Sequence, residues 1–247
     1  MRAAIRAVLG SVLALGSAIA FAAAQTTAQT AAPTAAPAPD ASAAKQPELS
    51  FQFDRTGLPV PRFTLQIRED GTGRYQADQA ETPATATSMR GQAAQHIDRP
   101  VSLTRGTVDK MFKAARASNY FNIECASKAK NIADTGKKTL SYTGSDGSGS
   151  CTYNYSEIKT IDTLTNSFLA IAYTMDEGRR LEFLHRYDRL GLDAEMNLLS
   201  QEAAAGRALE LGTIAPALAA IVDDTALIQR VRLRAQKMLE QVAADSH

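Results

Sequence analysis

The spacing of apolar side chains changes at Ser156, and this change limits the fold more than any other feature of the chain. Before it, apolar residues alternate in short runs: Leu49, Phe51 and Phe53, then Phe63, Leu65 and Ile67, then Leu140 and Tyr142, then Cys151, Tyr153 and Tyr155. A period of two puts each run on one face of an extended strand. After it, Ile158, Ile161, Leu164, Phe168, Ile171 and Met175 follow the three- and four-residue steps of a helix. Strands followed by helices predict an α+β fold: an antiparallel β-sheet meander with packed helices, followed by a C-terminal α-helical extension.

Turn chemistry sets the first connections. Gly57, Pro59 and Pro61 mark a turn after the first run. Asp70-Gly71-Thr72-Gly73 predicts a hairpin, with Tyr75 facing the core on the return strand. Gln79 to Asp98 is polar and reads as a long loop, with a short strand at Val101 and Leu103. Val108, Met111, Phe112 and Ala115 then share one helical face, with Thr107 as the expected N-cap and Asn119 as the stop. Tyr120 and Phe121 are expected to return to the core.

In the helical half, Thr174-Met175-Asp176-Glu177 fits a capping box and predicts a new helix with Leu181, Leu184 and Tyr187 inward. Gly191 and Gly212 read as helix ends. The last helix is expected from Thr225 to Val242, capped by Asp224. The stretch around Pro216, Val231, Ala235 and Leu239 resembles one HEAT-type helix pair. A single pair cannot cover its own apolar face, so it must pack on the domain or on a second subunit.

The N-terminus carries an address. Arg2 and Arg6 precede an apolar run from Ala7 to Phe21, and Ala22-Ala23-Ala24 supplies the small residues of a cleavage site. Residues 1–24 read as a signal peptide removed before Gln25. Residues 25–47, rich in Ala, Thr and Pro, read as a disordered linker. The α+β domain is expected over 48–190 and the helical extension over 191–247. Cleavage takes away two arginines and no acids, turning 27 basic against 26 acidic side chains into 25 against 26. So even a balance gives no electrostatic footprint for nucleic acid, and no further apolar run is long enough for membrane insertion.

Export places Cys125 and Cys151 in an oxidising compartment, where two cysteines are expected to pair as a structural disulfide. They lack the Cys-x-x-Cys spacing of a redox-active pair.

The candidate chemistry is sparse. Gly144, Gly147 and Gly149 run into a strand pattern with no following Gly-Lys-Ser/Thr, so they read as a hairpin turn and not as a phosphate loop. Asp134-Thr135-Gly136 resembles the active-site motif of aspartic proteases, in which two aspartates share a proton. One copy is present, and Lys137-Lys138 follow it where that motif has small or hydroxyl residues. Its other reading is a solvated turn. His96, in the polar loop, and His185, His247 at the end, are the available bases, and no Gly-x-Ser-x-Gly elbow accompanies them. Glu182 and His185 form half of a di-iron ligand pattern without its second half. Arg230, Arg232, Arg234 and Lys237 form either a solvated helix face or a partner surface.

Taken in order, "FTLQIREDGTGRY", "TVDKMFKAARASNYFNI" and "ADTGKKTLSYTGSDGSGSCTYNY" with the helix after them resemble an uncharacterised family of exported bacterial α+β domains. The likeness covers residues 50–172, about half of the chain. Members often carry cysteines near the first strand, where this chain reads "RTGLPVPRF". The resemblance implies fold and location and carries no activity with it.

The expectation from sequence is therefore a periplasmic or secreted binding or interaction module of the cell envelope without catalytic, metal or cofactor residues. Its partner is a protein, or a second copy joined through the C-terminal helices. The alternative is a hydrolase using Asp134.

Overall fold

Each alternating run becomes a strand whose apolar face is shielded, except that the last one ends at Tyr153 and leaves Tyr155 exposed. The computed structural model describes residues 46–81 and 93–245; the predicted signal peptide, linker residues 25–45 and His247 lie outside the described residues. Among the described residues six strands form one antiparallel sheet: β1 (Glu48–Asp54), β2 (Arg62–Arg68), β3 (Thr72–Gln79), β4 (Gln95–Ser102), β5 (Lys137–Thr143) and β6 (Ser148–Tyr153), in the order β4-β3-β2-β1-β5-β6. The first four form the expected meander. Helix α1 (Arg105–Ala117) then carries the chain back so that β5 pairs on the free side of β1.

Register keeps the apolar set on one face. Phe51 lies opposite Leu65 on one side and Leu140 on the other, and all three are fully buried. Ser50, Thr64, Gln66 and Ser141 point to the opposite, more exposed face. The covered face packs on α1, through Val108, Met111, Phe112 and Ala115, and on the first half of α2 (Lys159–Tyr187). Phe51 stacks on Phe168 of α2 with ring centroids 5.0 Å apart. Truncating either ring to alanine would cost about 3–5 kcal/mol.

Helix α2 runs unbroken for 29 residues, so Thr174 starts no new helix. The Thr174 side chain is fully buried, and its hydroxyl donates back to the Ala170 carbonyl at 3.0 Å instead of capping. The second half of α2 enters a separate apolar cluster. There Leu181 meets α3 (Leu192–Ala204), α4 (Ala215–Asp223) and α5 (Gln229–Asp245) through Leu192, Met196, Leu218, Val231 and Ala235. A Cβ on Gly178 would overlap the Ile214 side chain, so glycine lets α2 approach the turn before α4 closely.

Several expected boundaries move. Strand β4 begins at Gln95, inside the predicted loop, because Ile97 joins the expected Val101 on its buried face and seats an otherwise polar strand. Helix α1 starts after Thr104, three residues before the expected Thr107 cap, and Thr104 receives its partner from afar: Glu210 accepts both its N–H and its hydroxyl, each at 2.8 Å. Gly191 begins α3 instead of ending a helix; the left-handed glycine after α3 is Gly206, with φ +71°. Asp224 caps a turn through the Ala226 N–H, and α5 begins only at Gln229.

Cys125 and Cys151 form a disulfide with Cα atoms 5.9 Å apart, tying the segment after α1 to β6. In the chain-entropy account a loop of this length contributes roughly 3.5 kcal/mol. The β5–β6 connection is a hairpin closed by Gly144 N–H donating to Gly147 at 2.9 Å. Its glycines do not serve positive φ, as expected from sequence; they make room. A Cβ on Gly147 would lie 2.6 Å from the Tyr120 ring, and one on Gly149 would overlap the Tyr120 carbonyl. Positive φ falls instead on Asn119, Tyr120 and Phe121, a left-handed turn whose Phe121 is fully buried.

Candidate functional site

The residues singled out by chemistry do not converge. Asp134 is exposed, and its Oδ1 accepts the Gly136 N–H at 2.9 Å in a tight turn with Gly136 at φ +95°. Lys138 is buried behind that turn and donates to the carbonyls of Thr135, Gly136 and Asn154. Burial lowers its pKa below the ordinary lysine value. This is a loop clasp, and the Asp134 carboxylate is part of the turn it holds.

The histidines are likewise dispersed. His96 lies on β4 and meets Asp78 of β3 at 2.8 Å, so it sits in the sheet and not in a loop. Glu182 and His185 point to different partners: Glu182 receives both terminal nitrogens of Arg99, at 2.7 and 2.6 Å, while His185 Nε2 meets Asp224 at 2.9 Å. Among the described residues no cluster of three or more His, Cys, Asp and Glu could hold a metal. The basic residues of α5 are partly consumed within the fold, since Arg230 and Arg234 both pair with Asp193 of α3 and Arg232 donates to the Val222 carbonyl.

What the sequence pattern did not suggest is a groove of about 950 Å³ between β4 and the last two turns of α2. Ile97 and Arg99 line it from the strand. From the helix come Arg179, Glu182, Phe183, Arg186 and Tyr187, whose three- and four-residue spacing puts them on neighbouring faces. Phe183 and Tyr187 pack with ring centroids 5.1 Å apart, and the Arg186 guanidinium lies 5.9 Å from the Tyr187 ring. Arg99 neutralises Glu182, and Arg74 holds Asp98 below the usual carboxylate range. Arg179 and Arg186 are left without a carboxylate at ion-pair distance among the described residues, and the buried Nε of Arg179 has no hydrogen-bond partner. An uncompensated donor in the wall of an open groove is unusual, because a buried N–H without an acceptor is destabilising.

Beneath the groove the helix turns a second set of acids inward. Tyr75 of β3 donates to Asp176 at 2.9 Å, and burial pushes Asp176 up to about 6. One position on, Glu177 meets Glu195 of α3 in the interior, and burial together with that neighbour pushes Glu177 up to about 8. Arg180 pairs with Glu195 at 2.7 Å. Glu177 and Glu195 are both buried, where α2 packs on α3.

A second cleft, of about 970 Å³, separates the start of α1 from α3 and α5, and Lys110, Lys237, Gln241 and Glu210 are among the residues that line it. Among the described residues, no helix is long and apolar enough to cross a membrane. No family model matches the sequence, and no curated protein is similar to it.

Proposed function

We propose that this chain is an exported, non-catalytic binding module of the periplasm or extracellular space, and that its ligand is taken by the groove between β4 and α2. The observation that carries this reading is Arg179, a cation in the groove wall with a buried Nε that nothing in the described fold satisfies. Export is supported by the signal-like N-terminus and by the Cys125–Cys151 disulfide, which persists in oxidising compartments. Kinship with the exported α+β family that the sequence resembles belongs to the same proposal.

The hydrolase alternative has less support. Asp134 holds a turn, and the nearby Lys138 is a clasp. Self-association through the C-terminal helices has one observation in its favour, the exposed Leu198, Ile228 and Leu233.

The test begins with expression of the full chain in a bacterial host, followed by fractionation and N-terminal sequencing. The expected product is in the periplasm or medium and begins at Gln25; an unprocessed cytoplasmic product would sink the export reading. The purified protein is then incubated with a denatured protein mixture at acid pH. Cleavage that Asp134→Asn abolishes would replace the binding reading with the hydrolase. Sedimentation of the same sample at rising concentration decides between monomer and self-associated forms.

A further inference from the structure

The sheet has two ends of different character. Beyond β6 stands the left-handed turn Asn119–Phe121, and Asn122 Nδ2 donates to the Ser148 carbonyl at 2.6 Å, so the start of that edge strand is covered. Beyond β4, no strand pairs among the described residues. The Leu103 N–H donates to Gly71 at 2.9 Å, so the odd positions of β4 turn their backbone toward β3 and the even positions turn theirs away. His96 and Asp98 thus present N–H and C=O groups outward. Pro100 has the same parity and no N–H to give, a common way of blunting an edge, and it confines free pairing to the first half of the strand.

That same half of β4 borders the groove. A strand added beside it would lie about 4.8 Å away, and every second side chain would face α2. Those side chains would meet Phe183 as an apolar contact and Arg179 and Arg186 as cations that make no close ion pair, offset only by the field of Glu182, which Arg99 already holds, and of the buried Asp176.

We propose that the edge of β4 accepts an extended acidic peptide from a partner protein as a seventh strand, its alternate side chains entering the groove to meet Arg179 and Arg186. Backbone pairing at His96 and Asp98 supplies the register, and the guanidinium groups select carboxylates over neutral or basic side chains. This rests on the binding-module reading and names the class of partner for that site.

The probe is a library of random eight-residue peptides displayed on phage and selected on the full folded protein. The expected winners carry Asp or Glu at alternate positions. A synthetic winner should lose about tenfold or more in affinity, by fluorescence anisotropy, against the Arg179→Ala/Arg186→Ala double variant. It should lose a comparable factor against His96→Pro, which removes one outward N–H and spares the ladder to β3. Because a strand variant can unfold, N-methylating alternate backbone amides of the peptide tests the same hydrogen bonds on the unaltered protein, with the same loss expected. Winners without acid bias overturn the proposal. So does an acidic winner insensitive to both His96→Pro and N-methylation, which would be a surface charge contact, and so does a dimer that His96→Pro dissociates, which would place a second copy on this edge. Mass spectrometry of the bound peptide separates the two levels of the argument: cleavage sinks the non-catalytic reading, whereas an intact but unselected library sinks only the strand addition.

Discussion

Glu177 on α2 and Glu195 on α3 bring two carboxyl groups together in the interior, and each keeps one oxygen without a hydrogen-bond partner. With Arg180 bound to Glu195, the arrangement is satisfied when Glu177 carries the proton. A glutamate in the unfolded chain titrates near 4.3, and burial raises Glu177 to about 8. Across that window the folded protein holds a proton that the unfolded chain has lost. Stability therefore falls as pH rises through the window and levels off above it. Asp176, raised to about 6, adds to the fall in its lower part. Thermal melts from pH 5 to 9 should show a declining Tm, and Glu177→Gln should flatten the decline and raise the Tm at pH 8, by on the order of 2–4 °C per kcal/mol relieved. A Tm that rises with pH would contradict the protonated pair.

The disulfide yields a second expectation. Thiol labelling of the native protein should find neither Cys125 nor Cys151, since the two are bonded and nearly buried. Replacing both with alanine should lower the unfolding free energy by roughly 3.5 kcal/mol in the chain-entropy account, read as a lower urea midpoint.

Two glycines in helices should respond in opposite directions to one substitution. Gly178→Ala drives a methyl group into Ile214 and should destabilise by about 1–3 kcal/mol despite the better helix propensity of alanine. At Gly106, in the first turn of α1, nothing lies within 4 Å of the added Cβ. There alanine should be neutral or stabilise by up to about 1 kcal/mol. Paired denaturation curves decide, and equal effects would refute the close approach.

Glu210 should behave as a latch. It sits at φ +58°, an uncomfortable conformation for a side chain of its size, and holds Thr104 by two hydrogen bonds. Glu210→Ala keeps the backbone strain and loses the latch, at an expected cost of about 1.5–3 kcal/mol. Glu210→Gly relieves the strain and should cost less. Hydrogen exchange at the first amides of α1 should accelerate in both variants; if it does so in neither, the latch is idle.

Where alternation was strong, sequence and structure agree. Leu49, Phe51 and Phe53 and the runs after them stand on the buried face as their period requires, except Tyr155, which falls past the end of β6 and is exposed, and the disulfide followed from there being two cysteines. The misplaced features are those in which a distant residue does the local work. Thr104 could not be read as a cap because its partner is 106 positions away. Thr174 and Glu177 formed a capping pattern, but burial sent the hydroxyl back along the helix and the carboxyl across to α3. The groove was illegible for a related reason. Arg179, Phe183 and Arg186 look like any amphipathic helix, and only the packing of α2 beside an edge strand makes them a wall.

The length of α2 has an evolutionary consequence. Its first half completes the core under the sheet, and its second half completes the cluster with α3, α4 and α5. A recombination event breaking the chain anywhere within Lys159–Tyr187 would strip one of these cores of its cover. The helical tail can be neither inherited nor lost as a cassette cut at that point. Shuffling with other proteins is tolerable only at the helix ends, and a lineage carrying the sheet alone must have redesigned the outward face of its last helix to do without the tail.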